Sequence, residues 1–314
     1  MDRKPVSVKS YANIAIVKYW GKADAERMIP STSSISLTLE NMYTETKLSF
    51  LPEDATGDVM YIDDELQGEK ETIKASKVLD LFRTNPNQHV KIETWNNMPT
   101  AAGLSSSSSG LSALVKAANE LFQVGKTQSE LAQIAKFASG SSSRSFFGPL
   151  AAWDKDSGEV YQVETDLKLA MIMLVLTDQK KPVSSRDGMK LCTETSTSFP
   201  EWIKQSEQDY EDMLGYLKAN DFQAVGELTE ANALRMHQTT STANPPFSYL
   251  TDASYQAMDK VKALRASGEQ CYFTMDAGPN VKVLCLEEDL DRLAEHFRKD
   301  YEVIVSRTKE LPDA

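Results

Sequence analysis

The chain has 314 residues, a hydrophobic fraction of 41%, a charged fraction of 25% and a formal net charge of −12. This length predicts about two domains with enough residues for a buried core. The acidic balance argues against nucleic acid as a partner, because such binding depends on basic surface. No apolar run approaches the ~20 residues that cross a bilayer, and the N-terminus lacks the apolar segment of a signal peptide. We therefore expect a cytoplasmic protein with no membrane partner.

Cysteine and histidine are too scattered to indicate a metal centre. The cysteines are Cys192, Cys271 and Cys285, with no CxxC pair, so neither a disulfide framework nor a thiolate site is indicated. The histidines are equally isolated, which argues against a histidine-bound metal and against a Ser-His-Asp triad. A metal, if used, would be a hard cation held mainly by phosphate oxygens.

The first part of the chain alternates apolar and polar residues over several segments, a pattern typical of strands. Turn-forming residues separate these segments. The sequence predicts strands over residues 6–17, 34–50 and 89–95, a hairpin arm over 59–66 and a helix over 70–82.

A cluster of cations and aromatic residues follows the first predicted strand. Lys18 and Lys22 flank Tyr19 and Trp20 in the string KYWGK. The end of a strand delivers side chains to the rim of a cleft. Solvated surface lysines are the commoner explanation for any single lysine, but two beside an aromatic pair favour anion binding.

Residues 97–110 run small side chains directly into an amphipathic helix. Downstream, Leu111, Leu114, Val115 and Ala118 recur with the period of a helix that has one buried face. Free backbone N–H groups at a helix start favour an anion, and residues without bulk let a polyphosphate approach. A flexible linker is the alternative, but this run merges into a helix rather than lying between elements. The sequence predicts a phosphate loop that is neither a Walker A loop nor a dinucleotide fingerprint.

A capping box at Thr127 and Glu130 predicts the start of the next helix, which ends near residue 139. The string SGSSSRS follows at residues 139–145. Arg144 can hold a carboxylate or phosphate with two parallel hydrogen bonds, and the serines add uncharged donors. A polar turn in which serines cap backbone groups is an equally good explanation.

The second half of the chain predicts mixed helices and strands. A basic stretch over 179–188 predicts a loop, either solvated or acting as a lid over phosphates. Beyond it the string MDAGPN is an ordinary turn between two apolar strands, in which Asp276 is the natural candidate for a carboxylate in a cleft. The predicted elements are strands over 150–153, 159–163, 169–176, 271–275, 281–286 and 301–306, and helical segments over 201–235, 249–266 and 288–298.

The chain resembles the galactokinase, homoserine kinase, mevalonate kinase and phosphomevalonate kinase superfamily in the joint order of six strings. These strings are KYWGK, MPTAAGLSSSSSG, SGSSSRS, SSRDGM, MHQTT and MDAGPN. KYWGK, SGSSSRS and MDAGPN together point within this superfamily to the diphosphomevalonate decarboxylase family, over nearly the whole chain. The resemblance implies an α+β fold with an N-terminal domain like ribosomal protein S5 domain 2 and a ferredoxin-like C-terminal domain. We expect domains at 1–180 and 181–314, with the active site between them.

The resemblance also implies an activity. It is the ATP-dependent decarboxylation of mevalonate 5-diphosphate to isopentenyl diphosphate, which releases ADP, phosphate and carbon dioxide. ATP and Mg²⁺ are the implied cofactors, mevalonate 5-diphosphate is the small-molecule partner, and a homodimer is common in the family. A kinase of the same superfamily that does not release carbon dioxide, and a nucleotide-binding regulator without turnover, are the alternatives.

The same resemblance implies roles for individual residues. Asp276 matches the aspartate that accepts or orients the proton of the C3 hydroxyl, Arg144 the arginine that grips the substrate carboxylate, and Lys18 a lysine near both groups. It implies no role for His237 or Gln238. The implied substrate diphosphate contacts are Tyr19, Lys22, Ser139, Ser141, Ser185 and Arg186, and the implied nucleotide contacts are Asn96, Asn97, Gly103, Ser105, Ser106, Ser107 and Ser108.

Overall fold

The computed structural model describes residues 4–98, 106–177 and 183–311. Gly103 and Ser105 of the predicted phosphate loop lie outside these residues, as do residues 179–182. The described strands are β1 (Val6–Val17), β2 (Lys22–Asp24), β3 (Ile29–Pro30), β4 (Ser34–Phe50), β5 (Val59–Ile62), β6 (Glu65–Leu66), β7 (Val90–Asn96), β8 (Leu150–Trp153), β9 (Val160–Val163), β10 (Leu169–Val175), β11 (Tyr272–Met275), β12 (Val281–Leu286) and β13 (Glu302–Arg307).

The helices fall mainly in two runs, one between β7 and β8 and one between β10 and β11, and the chain also has short 3₁₀ turns at Gly140–Phe146 and Glu287–Asp289. Among the described residues, no helix combines the length and the apolar character that crossing a membrane requires. The described α-helices are α1 (Glu69–Leu79), α2 (Ser106–Phe122), α3 (Gln128–Ala138), α4 (Ser185–Thr195), α5 (Phe199–Lys218), α6 (Phe222–Ser241), α7 (Asp252–Ala266) and α8 (Leu290–Arg298).

The long strand β4 organises the first sheet. The sheet order is β6-β5-β7-β4-β8-β9, and β1 also pairs with β4. The first residues of β4 pair with β8, and the last seven residues of β4 pair with β7. β1 lies antiparallel to β4 and is buried at every position from Ala12 to Val17. The residue that follows Val17 therefore leaves the sheet at the centre of the molecule.

The second sheet has the antiparallel order β11-β12-β10-β13. β10 pairs with β12 on one side and with β13 on the other, although it precedes them by a long stretch of chain. The change from one sheet to the other therefore lies between Val163 and Leu169. A domain limit at residue 180 would leave β10 in the N-terminal half, away from its hydrogen-bonding partners.

One hydrophobic cluster joins the two sheets. Ile14 and Leu37 of the first sheet share it with Met171 and Leu284 of the second sheet, and all four side chains have no exposed surface. The mixture of helices and sheets confirms the predicted α+β class. Because the halves share a core, the groups at their junction hold fixed positions.

The helices agree with the sequence pattern except after Ser184. The Thr127 and Glu130 capping box forms as predicted and begins α3. The prediction of a loop up to residue 188 is wrong beyond Ser184, because the Ser184 hydroxyl caps α4 by accepting a hydrogen bond from the Asp187 N–H. The chain from Ser185 onward is thus helical.

Candidate active site

The KYWGK segment is fixed by contacts from the C-terminal helices. The backbone N–H of Lys18 donates to Asn232 Oδ1 of α6 at 2.8 Å, and Trp20 Nε1 donates to Thr239 Oγ1 at 2.9 Å. Gly21 has φ +114°, and a Cβ there would lie 2.5 Å from the ring of Phe199. Only glycine fits both conditions, so the segment can turn tightly after Lys18, which lies beside α6.

Asp276 lies in the turn between β11 and β12 and contacts two lysines. Lys18 Nζ is 2.7 Å from Asp276 Oδ1, and Lys282 Nζ is 3.1 Å from Asp276 Oδ2. Lys18 Nζ also donates to the carbonyl oxygen of Ala15 at 2.7 Å. We call Lys18, Asp276 and Lys282 the carboxylate centre. Each half of the molecule supplies part of it.

Burial and charge act in opposite directions on the carboxylate centre. Burial raises the pKa of Asp276, but the ammonium groups of Lys18 and Lys282 outweigh this effect and hold that pKa well below its usual range. Burial also lowers the pKa of Lys18 to about 8, although the Asp276 carboxylate partly opposes this shift. At neutral pH the carboxylate is therefore ionised and Lys18 is mostly protonated.

Arg144 reaches the same centre from the 3₁₀ turn. Its Nε donates to Ser36 Oγ at 2.9 Å, and its Nη1 donates to Ser34 Oγ at 2.7 Å. Ser34 and Ser36 are two residues apart on β4, so their side chains lie on one face of the strand. Burial lowers the pKa of Arg144 to about 10, and the carboxylate of Asp276 opposes that shift. Among the described residues, no carboxylate lies at salt-bridge distance from Arg144, and a buried guanidinium placed in this way suits an anionic ligand.

A second group of predicted residues lies next to the carboxylate centre, and we call it the outer end. Tyr19 packs on Gly140, where a Cβ would lie 2.8 Å from the tyrosine ring. Burial raises the pKa of Tyr19 to about 12, while the guanidinium groups of Arg144 and Arg186 oppose this. Burial and the charge of Arg186 both lower the pKa of Lys22. The outer end contains Tyr19, Lys22, Ser139, Ser141, Ser185 and Arg186.

The serines of the outer end are close to one another. The hydroxyl oxygens of Ser139 and Ser141 are 3.2 Å apart, and both residues are half-buried. Ser185 is the first residue of α4 and is half-buried, whereas Arg186 is exposed. The structure thus brings the predicted substrate contacts together, with hydroxyl groups and cations on neighbouring elements.

The predicted nucleotide contacts are divided. Ser106 begins α2, as the sequence predicts. Ser107 is exposed, but Ser108 is fully buried and its hydroxyl accepts a hydrogen bond from the Asn13 N–H at 3.4 Å. The Ser108 side chain therefore also holds α2 against β1, while the helix start remains the predicted anion site.

Asn96 and Asn97 make contacts with their own sheet. Asn96 Oδ1 accepts from Thr44 Oγ1 at 2.7 Å, and Asn97 Oδ1 accepts from the Tyr43 N–H at 2.7 Å. Asn97 Nδ2 also donates to the carbonyl oxygen of Asn41 at 2.8 Å. These bonds hold the end of β7 on β4, so both amides have a structural role whatever they contact in a complex.

Sequence reasoning missed several residues of the site. Lys282 lies inside an apolar strand, and the signal that could have found it is a polar residue where the strand pattern requires an apolar one. Ser34 and Ser36 occupy the polar positions of an alternating strand, so the pattern alone does not mark them. Asn232 is a buried amide in the middle of α6. No local pattern connects it to Lys18, which is 214 residues away.

His237, which had no implied role, lies beside the carboxylate centre. It is 6% exposed and its ring contacts that of Tyr249 edge-on at 6.3 Å. Burial, together with the charge of Lys18, lowers the pKa of His237 to about 4. The imidazole is therefore neutral at physiological pH. Gln238, by contrast, is exposed on α6.

Another concave region lies beside α2 and α3. It has a volume of about 600 Å³ and is lined by residues that include Lys116, Glu120 and Leu131. None of the predicted site residues lines it. In the part of the chain that the structure describes, no group of three or more His, Cys, Asp or Glu side chains is placed to hold a metal ion.

Comparison with known proteins agrees with this arrangement. Residues 10–163 match the model of the diphosphomevalonate decarboxylase-like N-terminal domain, and residues 171–312 match that of the mevalonate 5-diphosphate decarboxylase C-terminal domain. A diphosphomevalonate decarboxylase from Candida albicans is 31% identical over 94% of this chain and 88% of its own length.

Solved structures are similar over the whole chain. The mevalonate pyrophosphate decarboxylase from Streptococcus pyogenes is 67% identical with a TM-score of 0.97, covering 100% of this chain and 99% of that one. A structure designated MDDEF, in complex with MVAPP, AMPPCP and magnesium, is 40% identical with a TM-score of 0.90, covering 98% of each chain. The expected S5-like and ferredoxin-like domains are consistent with these neighbours. The chain belongs to the diphosphomevalonate decarboxylase family.

Proposed function

We propose that the chain catalyses the ATP-dependent decarboxylation of mevalonate 5-diphosphate to isopentenyl diphosphate, with release of ADP, phosphate and carbon dioxide. One observation carries the proposal. An ionised carboxylate, Asp276, lies between two lysines at the junction of the two halves, and the buried guanidinium of Arg144 lies close enough for their charges to interact. A substrate with a hydroxyl group and a carboxylate matches this set of charges.

Asp276 acts on the C3 hydroxyl of the substrate. The hydroxyl oxygen attacks the γ-phosphorus of ATP, the bond from phosphorus to the ADP oxygen breaks, and the hydroxyl proton passes to the Asp276 carboxylate. Asp276 accepts a hydrogen bond from that hydroxyl and orients its oxygen for attack; a positioned base contributes ~10²–10⁴ in rate. Its low pKa favours orientation and late proton acceptance over early proton removal.

Arg144 and Lys18 act in the remaining steps, in which phosphate and then carbon dioxide leave the substrate. Phosphate leaves C3 with the electron pair of the C–O bond, which produces positive charge at C3. The bond between the carboxylate and C2 then supplies the electrons of the new C2–C3 double bond as carbon dioxide departs. Arg144 holds the carboxylate in line for this step, and fixed dipoles and charges of this kind stabilise transition states more than water does.

The outer end binds the substrate diphosphate. Lys22 and Arg186 supply positive charge, and Tyr19, Ser139, Ser141 and Ser185 supply hydroxyl donors. The local positive charge of Lys22 and Arg186 can bind the diphosphate although the whole chain has a net charge of −12. At physiological salt, charges more than ~8 Å away are largely screened. The amide groups of residues 103 and 105–108 hold the nucleotide phosphates.

Mg²⁺ would neutralise charge on the nucleotide phosphates when it is bound. As a hard cation it would be held mainly by phosphate oxygens. Ser107, which is exposed at the start of α2, carries the hydroxyl group of this chain that we propose beside it. The homodimer, the cytoplasmic location and a place in isoprenoid and lipid biosynthesis remain predictions from the resemblance.

A coupled assay tests the proposal. Purified protein is incubated with ATP, Mg²⁺ and either mevalonate, its monophosphate or its diphosphate, and ADP, phosphate and carbon dioxide are measured together. We expect equal amounts of all three products with the diphosphate only. ADP without carbon dioxide would identify a kinase of the superfamily, and no turnover would indicate a nucleotide-binding regulator.

A further inference from the structure

Lys282 occupies a position where the sequence pattern requires an apolar residue. It is the second residue of β12, whose other members are valines, leucines and a cysteine, and its side chain is 0% exposed. Lysine is almost never fully buried unless a group of opposite charge accompanies it. A buried lysine in a central strand weakens the core unless it serves another purpose.

The register of the second sheet shows which way Lys282 faces. Lys282 pairs with Thr274 of β11 and with Met173 of β10, so these three side chains lie on one face. Its neighbours Val281 and Val283 face the other way, into the cluster against α7 and α8. The face that holds Lys282 is the one turned toward β1 and α6.

On that face, Lys282 contacts the carboxylate proposed to act in the reaction. Its Nζ is 3.1 Å from Asp276 Oδ2, whereas Lys18 Nζ is 2.7 Å from Oδ1. The two lysines therefore divide the carboxylate between them, one oxygen each. Lys18 comes from the first sheet, but Lys282 belongs to the same β11–β12 hairpin as Asp276.

We propose that Lys282 is a positioning residue for the reaction. By holding Oδ2 it fixes the plane of the Asp276 carboxylate, so that Oδ1 points toward Lys18 and the substrate hydroxyl. The proposal rests on the proposed function. Lys282 acts through Asp276 and needs no contact with the substrate. Its second effect is to keep Asp276 ionised in a place where burial alone would favour the neutral acid.

Titratable groups from four elements face this carboxylate, and they determine its response to pH. They are Lys18 after β1, Arg144 in the 3₁₀ turn, Lys282 in β12 and the neutral His237 in α6. When Lys282 is replaced, burial is opposed by fewer cations, so the pKa of Asp276 rises. The fraction of ionised Asp276 then falls at a higher pH than in the parent protein.

The first test compares Lys282→Met with Lys282→Arg and with the matched control Val283→Ala. For Lys282→Met we expect kcat to fall about tenfold at pH 7.5 with KM changed less than about threefold, and the acid limb of the rate profile to move up by about one pH unit or more. Lys282→Arg keeps the charge and should return the acid limb toward its original position. Val283→Ala removes packing on the other face of β12, so it should lower Tm without moving the acid limb of the rate profile. An unshifted pH profile in Lys282→Met would overturn the proposal.

The second test does not require turnover, so it separates this inference from a failure of the proposed function. Thermal unfolding is measured for Lys282→Met, Asp276→Asn and the double variant at pH 7.5. Each single change leaves a buried polar group without its partner, so the Tm loss of the double variant should be clearly smaller than the sum of the single losses. Val283→Ala combined with Asp276→Asn should be additive. Additive losses for Lys282→Met and Asp276→Asn would show that the two side chains do not act as a pair.

Discussion

The carboxylate centre and the outer end of the site differ in how the protein holds their charges. Lys18 and Arg144 are each 2% exposed, and protein atoms within 3 Å fix their charged groups. At the outer end Lys22 is half-buried, Arg186 is exposed, and Lys22 Nζ has the sulfur of Met28 as a neighbour at 3.4 Å. The inner charges are therefore placed before substrate arrives, whereas no carboxylate of the described residues pairs with Lys22 or Arg186 at the outer end.

This difference decides how each region should respond to substitution. Preorganised charges in a buried site cost little reorganisation during reaction and are strongly coupled to one another. Exposed charges are screened by salt and contribute less each. We therefore expect changes at the carboxylate centre to affect kcat and changes at the outer end to affect KM.

The largest effect is expected for Asp276→Asn. The amide keeps the size of the side chain but cannot accept a proton or balance two lysines, so product formation should fall by ~10³ or more. ATP affinity, measured by calorimetry, should remain within a few-fold. Asp259→Asn, which changes an exposed aspartate on α7 paired with Lys262, is the matched control and should leave activity unchanged. An active Asp276→Asn protein would remove this carboxylate from the reaction.

Arg144→Leu should have the next largest effect. It removes the guanidinium that we assign to the substrate carboxylate and also its bonds to Ser34 and Ser36, so kcat/KM should fall about 10²-fold. Arg144→Lys keeps the charge without the planar fork and should recover part of the loss. Tm is measured in parallel to separate substrate handling from stability. Unchanged kinetics for mevalonate 5-diphosphate would assign Arg144 a purely structural role.

The pH profile tests Lys18. Its pKa of about 8 lies below that of a free lysine, so the ammonium is lost as the pH rises through 8. Asp276 then loses a partner, and kcat/KM should decline about tenfold per pH unit above that point. Lys18→Arg stays charged, so its decline should begin at higher pH. A parent profile that is flat from pH 7 to 10 would contradict this assignment.

The same shift predicts the direction of a stability change. Between pH 8 and the pKa of an unfolded lysine, the unfolded chain binds more protons at this position than the folded one. The contribution of Lys18 to the free energy of unfolding should therefore increase as the pH rises through this interval. Thermal unfolding of the parent protein and of Lys18→Met across this range isolates the contribution.

The smallest effect is expected at the outer end. Lys22→Met should raise KM for the diphosphate about three- to tenfold with kcat nearly unchanged, because one half-buried cation is lost from a group of several. The effect should shrink as salt is added. Lys74→Met, which changes an exposed lysine of α1 paired with Glu71, should change neither constant. A large loss of kcat in Lys22→Met would show that the two ends of the site are not distinct.

Much of the fold follows from local pattern. The limits of β1 and β4 agree with the predicted strands, because both have apolar residues at the strand period. The start of α3 agrees because a capping box is a short-range signal. The start of α4 was missed because SSRDG has the composition of a loop. Only the hydrogen bond to the Ser184 hydroxyl identifies it as a helix start.

The site was only partly predictable. Asp276, Arg144 and Lys18 lie in recognisable strings, and the structure places them together. The contacts that fix them do not lie in such strings. Asn232 acts on Lys18 across 214 residues of chain, and nothing near it in sequence indicates that partner. Lys282 lies in the same hairpin as Asp276, but only the folded hairpin shows that their side chains meet. Charge pairs of this kind are set by tertiary packing, which local periodicity does not contain.

The position of β10 has a consequence during synthesis. This strand is translated before α4 to α7, and its partners β12 and β13 are translated only after those helices. Until then the segment LAMIMLV, apolar at every residue, has both edges unpaired and no second sheet to join. Such segments promote aggregation of nascent chains. The second sheet therefore cannot be ordered until β13 has been translated, more than 120 residues after β10.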